Sequence, residues 1–272
     1  MRIRYLPADP AGNLTGLVLT PVRPGERAAL AARLMARCPE GFDQIGYVDE
    51  ACLDSPLPRL DMMGGEFCGN AARSFGLLLA RRRGLTRGSL CVSVSGAAAP
   101  VPVEFDVPKG EAFAQMALPR ELLRIRVLGE TLDVVCMEGI AHAVVARAPS
   151  QEVADAVLAA MPDAPAQGVL FWEGARMTPL VRVGASGTCV WEGSCGSGTA
   201  AVAFLRARGL ADGEHDFAFD EPAGRLHARV RTEGGQPVRI TMGGSVTLGA
   251  EREIEIQAPL CSLRTGTSPG SF

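Results

Sequence analysis

The stretch "EFCGNAARSFG" around Cys68 recurs 127 residues later as "GSCGSGTAAVAFL" around Cys195. A chain that repeats one motif at such an interval folds as related units, so the repeat limits the architecture before any single element is considered. After Cys68, apolar residues fall at Ala71, Ala72, Phe75, Leu78 and Leu79, one face of a helix, and the run closes with Arg81, Arg82, Arg83 and Gly84. After Cys195, Ala200, Ala201, Phe204 and Leu205 repeat the spacing, and Arg206, Arg208 and Gly209 repeat the ending. Each half places Cys-Gly at the N-terminus of a helix.

Most of the remaining chain reads as strand. Segments such as "LTGLVLT", "LCVSVSG", "LDVVCM", "AHAVVA" and "VRITMGG" are short, apolar and bounded by Gly and Pro turns. Two more helices are predicted, over 27–38 and over 150–161, the second opening on Ser150 as N-cap. At 272 residues the chain exceeds what one core usually fills, so two domains are expected. The Pro-containing stretch 107–119 is the expected boundary, giving an N-terminal half 1–116 with Cys68 and a C-terminal half 117–256 with Cys195. Residues 257–272 have the composition of a loose tail. The expected fold class is α+β, a duplicated module.

Composition narrows the partner. The 27 Lys and Arg against 30 Asp and Glu give a net charge of −3, which offers no electrostatic case for nucleic acid or an anionic membrane. No apolar run is long enough to span a membrane and the N-terminus lacks a signal-peptide core, so the chain reads as cytosolic with a small-molecule partner. The eight cysteines form no CxxC pair and only three histidines accompany them, so no metal is expected. Cys38, Cys52, Cys91, Cys136, Cys189 and Cys261 lack the glycine-helix context and are expected to be small buried hydrophobes without chemistry. The arginines 81–83 are expected to form a solvated helix end.

If the halves face each other, the two helix starts converge. The backbone N–H groups of Gly69, Asn70, Gly196 and Ser197 would then meet at one anion, and a carboxylate fits between them. The positive ends of the helices are expected to lower the Cys68 and Cys195 thiols from about 8.5 toward the physiological range. A thiolate on one face of a carbon acid removes the α-proton while a thiol on the other delivers one, inverting the centre. The helix N-termini stabilise the developing enediolate. Glu192, three residues before Cys195, is placed either to orient a substrate ammonium or to sit as an exposed turn carboxylate. Two other classes stay open at this point: a thiol redox sensor with a reversible Cys68–Cys195 disulfide, and a carboxylate-binding protein whose sulfurs are dispensable.

At these residues the sequence resembles the diaminopimelate epimerase superfamily of cofactor-independent amino-acid racemases, whose relatives include proline racemase and the PhzF-type isomerases. The resemblance implies two pseudo-symmetric halves, each a curved sheet or barrel around a central helix, and no cofactor; it leaves a homodimer open. It carries a substrate-side asparagine onto Asn13 in "AGNLTGLVL" and a pocket glutamine onto Gln44 in "GFDQIG". In "EGIAHAVV" it makes His142, otherwise a half-buried strand histidine, the pocket histidine, and it sets Ser197 where the epimerase has threonine.

The departures fall on the grip for a second amino-acid centre. Ile140 stands where the epimerase has asparagine, "GASG" at 184–187 replaces its charged Trp-Glu-Arg-Gly segment, and the asparagine before its first cysteine has no counterpart in "RLDMMGGEFC". The expected substrate is therefore a single-centre amino acid. The pattern resembles the histidine racemases of opine-type metallophore synthesis, with LL-to-meso diaminopimelate epimerisation as the alternative.

Overall fold

Ala71, Ala72, Phe75, Leu78 and Leu79 are each no more than 1% exposed, so the stripe after Cys68 belongs to a helix packed on all sides. The computed structural model describes residues 1–184 and 187–256. The expected tail 257–272, with Cys261, and Ala185 and Ser186 of the "GASG" stretch lie outside the described residues.

The first half runs β1 (Arg2–Asp9), β2 (Thr15–Val18), α1 (Pro24–Arg37), β3 (Gln44–Val48), β4 (Arg59–Met62), α2 (Gly69–Arg82), β5 (Arg87–Val94), β6 (Val101–Asp106) and β7 (Glu111–Met116). The second runs β8 (Glu121–Val127), β9 (Glu130–Cys136), β10 (Ile140–Val145), α3 (Gln151–Ala160), β11 (Ala166–Glu173), β12 (Arg176–Val183), β13 (Thr188–Trp191), α4 (Gly196–Ala207), β14 (Gly213–Glu221), β15 (Gly224–Glu233) and β16 (Gln236–Ser245). Two short strands, β17 (Thr247–Leu248) and β18 (Arg252–Glu255), return to pair with β1. The fold is mixed α+β, mostly sheet.

Connection length decides strand direction. Pairs joined across a helix are parallel (β2 with β3, β4 with β5, β10 with β11, β12 with β14), because a crossover is needed to return the chain in the same sense. Pairs joined by tight turns are antiparallel, as in β5–β6–β7 and β14–β15–β16. The stretch 107–119 contains β7, which pairs with β6 on one side and β16 on the other, so the sheet continues from one half into the next. α2 lies against β5, β6 and β7, and α4 against β15 and β16, each at the centre of its own apolar cluster.

Local signals hold where they were read. Ser150 caps α3, its side chain accepting from the Val153 N–H. Gly84 and Gly209 follow α2 and α4 at φ +66° and +79°, the left-handed turn that a glycine makes at least cost. The arginines 81–83 are exposed as expected but not merely solvated. Arg82 pairs with Glu50 and Glu251, and Arg83 donates to the carbonyls of Leu53 and Ser55. The cysteines depart from expectation: Cys91 and Cys189 are exposed and Cys52, Cys68 and Cys136 half-buried, leaving Cys38 and Cys195 as the buried ones among those described. Strand pleating, which turns alternate residues outward whatever their type, accounts for Cys91 on β5. Among the described residues no helix is long and apolar enough to cross a membrane.

Candidate active site

Cys68 and Cys195 are the N-cap residues of α2 and α4, at nearly identical backbone angles (φ −128°, ψ 114° and φ −128°, ψ 103°). Each sulfur stands where a capping oxygen usually does and accepts a backbone N–H of the first turn: Ala71 N to Cys68 Sγ and Gly198 N to Cys195 Sγ, both 3.4 Å. The N–H groups of Gly69, Gly196 and Ser197 have no partner among the described residues, as the first turn of a helix leaves them.

The two helix starts meet at Met242 of β16. A Cβ on Gly69 would lie 2.8 Å from its terminal methyl, and one on Gly196 2.3 Å. Glycine at both positions leaves room for this methionine between the two N-termini, and any side chain there would push its terminal methyl aside. Asn70 Oδ1 lies 3.8 Å from where a Gly196 Cβ would be, so the first turns face each other.

Asn13 and Gln44 come together beside Cys68. Gln44, 9% exposed, donates from Nε2 to Asn13 Oδ1 at 2.6 Å and to Thr15 Oγ1 at 2.9 Å. His142 stands behind Cys195 instead, fully buried, with Nε2 2.9 Å from Ser197 Oγ, which lies 3.5 Å from Cys195 Sγ. Glu192 is half-buried, close enough to the Cys195 sulfur to hydrogen-bond it. Of the ten residues singled out in the sequence, Cys68, Gly69, Asn70, Asn13 and Gln44 gather at the start of α2, and Cys195, Gly196, Ser197, His142 and Glu192 at the start of α4.

Two residues of this neighbourhood are not among those singled out in the sequence. Arg73 is 0% exposed and donates to Asn70 Oδ1 and to the carbonyls of Pro10, Gly244 and Ser245, tying α2 to β16 and to the loop after β1. Glu221, at the end of β14, accepts from the backbone N–H of Cys195 and from Thr199 Oγ1. An arginine inside the apolar run "AARSFG" was the available hint; a glutamate before a turn was none.

The thiols run against expectation. Burial pushes Cys68 above its ordinary value, outweighing the downward pull of the Ala71 N–H and the Gln44 amide. Cys195 is pushed well above, by burial first and then by the charges of Glu192 and Glu221. Helix ends favour thiolates only where solvent or a counter-charge supports them, and here desolvation wins. Burial also raises Glu192 to about 7 and Glu221 to about 8, and depresses His142 to about 3, so that imidazole is neutral. No group of three His, Cys, Asp or Glu side chains among the described residues is placed to hold a metal.

Ile140 opens β10, pairs with Ala166 of β11, and Ala166 pairs with Val183 of β12, immediately before the "GASG" stretch. Ile140 and residues 184–187 thus lie at one end of the same sheet. His142 is two residues further along, in register with Gly168 and Val181.

A mixed α+β chain whose two buried helices are each capped by a cysteine has the build of the racemase and epimerase class of isomerases. Residues 2–254 match the family of the histidine racemase CntK N-terminal domain, and the chain belongs to that family. It is an isomerase of the racemase type. A histidine racemase of Fusobacterium nucleatum is 29% identical over 216 residues, covering 74% of this chain and 80% of that protein. Two solved structures share the fold: a PhzF-family phenazine biosynthesis protein of Bacillus anthracis (TM-score 0.67, 17% identity, 94% of this chain and 100% of that one) and a hydroxyproline epimerase of Agrobacterium vitis with bound trans-4-hydroxy-L-proline (TM-score 0.65, 15% identity, 95% and 94%).

Proposed function

We propose that this protein is a cofactor-independent racemase of a single-centre amino acid, histidine first, using Cys68 and Cys195 as its two acid–base groups. The observation that carries the reading is the meeting of two cysteine-capped helix starts across Met242. A substrate carboxylate takes the free N–H groups of Gly69, Gly196 and Ser197, and with Asn70 these stabilise the enediolate as charge moves onto it. Asn13 and Gln44 lie on the Cys68 side of the reacting carbon, Glu192 on the Cys195 side, where it orients the ammonium. A bound ammonium also adds positive charge beside the sulfurs, drawing one to the thiolate while the other stays protonated. For one enantiomer the thiolate accepts the α-proton and the thiol donates to the opposite face; for the other the roles exchange. In this reading the halves are duplicated units related by pseudo-symmetry, which the recurring order of parallel and antiparallel pairings supports.

The substrate choice rests on the family and on Ile140. Burying the distal ammonium and carboxylate of diaminopimelate beside an isobutyl-sized group without partners costs several kcal/mol, and an imidazole avoids that cost. The test is direct competition in D₂O between L-histidine and LL-diaminopimelate, with α-deuteration read by mass. Faster labelling of histidine is expected. Preferential labelling of diaminopimelate would make the protein an epimerase of that compound, and no labelling of any amino acid would return the thiol pair to a redox role.

A further inference from the structure

The second ring nitrogen of His142, Nδ1, is buried and has no hydrogen-bond partner among the described residues. A Cβ on Gly168 would fall 2.2 Å from it, so this edge of the ring rests on the β11 backbone with no space for a bridging water. The neutral imidazole carries a single N–H, which leaves two polarities for the chain His142–Ser197–Cys195. With the hydrogen on Nδ1, a buried donor is orphaned, Ser197 must donate to Nε2, and its oxygen can only accept from the cysteine. With the hydrogen on Nε2, the ring donates to Ser197, whose O–H is left to donate to the Cys195 sulfur, and only a bare lone pair stays unpaired. Orphaned buried N–H groups are the rarer defect, which favours the second arrangement.

We propose that His142 is a positioning residue that acts through Ser197: as the Nε2–H tautomer it holds the serine hydroxyl as a donor to the Cys195 sulfur, favouring the thiolate of that cysteine alone. At Cys68 the side-chain donor is the Gln44 amide, with no histidine and serine behind it. The residue two positions after Cys68 is Asn70, whose Oδ1 is occupied by Arg73. The relay therefore offsets, at one thiol only, the opposing charges of Glu192 and Glu221. Its importance for turnover rests on the reading of Cys195 as an acid–base group, but its existence does not.

The decisive measurement uses the reduced wild-type protein without substrate, labelled with ¹⁵N-histidine. The His142 resonances, assigned against His142→Gln, are expected to show a protonated Nε2 and a bare Nδ1 throughout pH 6–9. A protonated Nδ1 overturns the proposal, and so does an imidazolium. In a second arm, iodoacetamide labelling of individual cysteines is followed by peptide mass. Ser197→Ala is expected to slow Cys195 roughly tenfold at fixed pH, about one pKa unit, with Cys68 unchanged. His142→Leu should match it, add nothing in the Ser197→Ala background, and be rescued by His142→Gln, whose amide reaches the same hydroxyl. An unchanged Cys195 rate in Ser197→Ala overturns the proposal; if His142→Leu does not fold, the labelled wild type still decides. Neither arm involves an amino acid, so a failure of the proposed racemisation is a separate result.

Discussion

Glu221 Oε2 accepts the backbone N–H of Cys195 at 2.6 Å, while its Oε1 accepts from Thr199 Oγ1 at 2.5 Å. One buried carboxyl on β14 thereby holds both the cap and the first turn of α4. The turn that follows is itself wedged: a Cβ on Gly12 would lie 2.1 Å from the Ala223 Cβ, and one on Gly193 2.9 Å from the same atom. The loop after β1 thus presses on the hairpin that anchors Cys195, so the first half helps to aim the second half's sulfur. Removing the carboxyl in Glu221→Ala strands a buried N–H and a buried hydroxyl, which costs about 1–3 kcal/mol for each group left unpaired. A fall in the urea midpoint is expected, with Glu221→Gln milder because its amide oxygen still accepts one bond. Equal midpoints for wild type and Glu221→Ala would show that the carboxyl does not hold the turn.

The raised carboxyls make stability depend on pH. Glu192 near 7 and Glu221 near 8 bind protons in the native state that an unfolded carboxyl, at about 4.3, has already released. The native advantage is complete below the unfolded value and is lost as pH rises through 7–8. Urea unfolding from pH 5 to 8.5 is expected to show wild-type stability declining relative to Glu221→Gln, which lacks one of the two titrations. A wild-type curve that rises against the variant over this window contradicts the assignment.

Thiol reactivity is expected to order the cysteines. Exposed Cys91 and Cys189 alkylate first, Cys68 later, and Cys195 last, because it is both buried and pushed furthest upward. Peptide mass after iodoacetamide at pH 7 to 10 gives the order, and a Cys195 rate exceeding that of Cys68 at pH 7 would reverse it. With substrate, Cys68→Ser and Cys195→Ser should each cost about 10²–10⁴-fold in turnover in both directions, since each enantiomer needs one group on each face. Near-normal racemisation by either variant excludes the two-thiol mechanism.

Two glycines differ in what an added methyl meets. Gly196→Ala strikes the Met242 terminal methyl at 2.3 Å, the far end of a flexible chain, so the variant should fold and be partly rescued by Met242→Ala. Gly168→Ala strikes the His142 ring at 2.2 Å, a buried planar group with nowhere to turn, and should destabilise by about 1–3 kcal/mol. Thermal unfolding of both variants ranks them; a greater loss in Gly196→Ala would mean that the methionine, not the histidine, is the rigid neighbour.

Adjacent residues suffice to specify α2, α4 and their cysteine caps, the Ser150 cap and the glycine ends, because apolar spacing and capping act within a turn or two. The pairing of the two motifs, 127 residues apart, also needs nothing beyond the chain read against itself. The charge states needed more. Whether a thiol at a helix start is lowered or raised depends on what covers it, and the groups that cover Cys195 include Glu221, 26 residues on, at the end of another strand. Arg73 looks like any helical arginine until Pro10, Gly244 and Ser245 close around it, the last two more than 170 residues away. Cys91 and Cys189 look as apolar as Cys195 until the pleat of a strand and an outer position turn them to solvent. Desolvation is the sum of every neighbour's volume and charge, and only the assembled sheet and helices decide who those neighbours are.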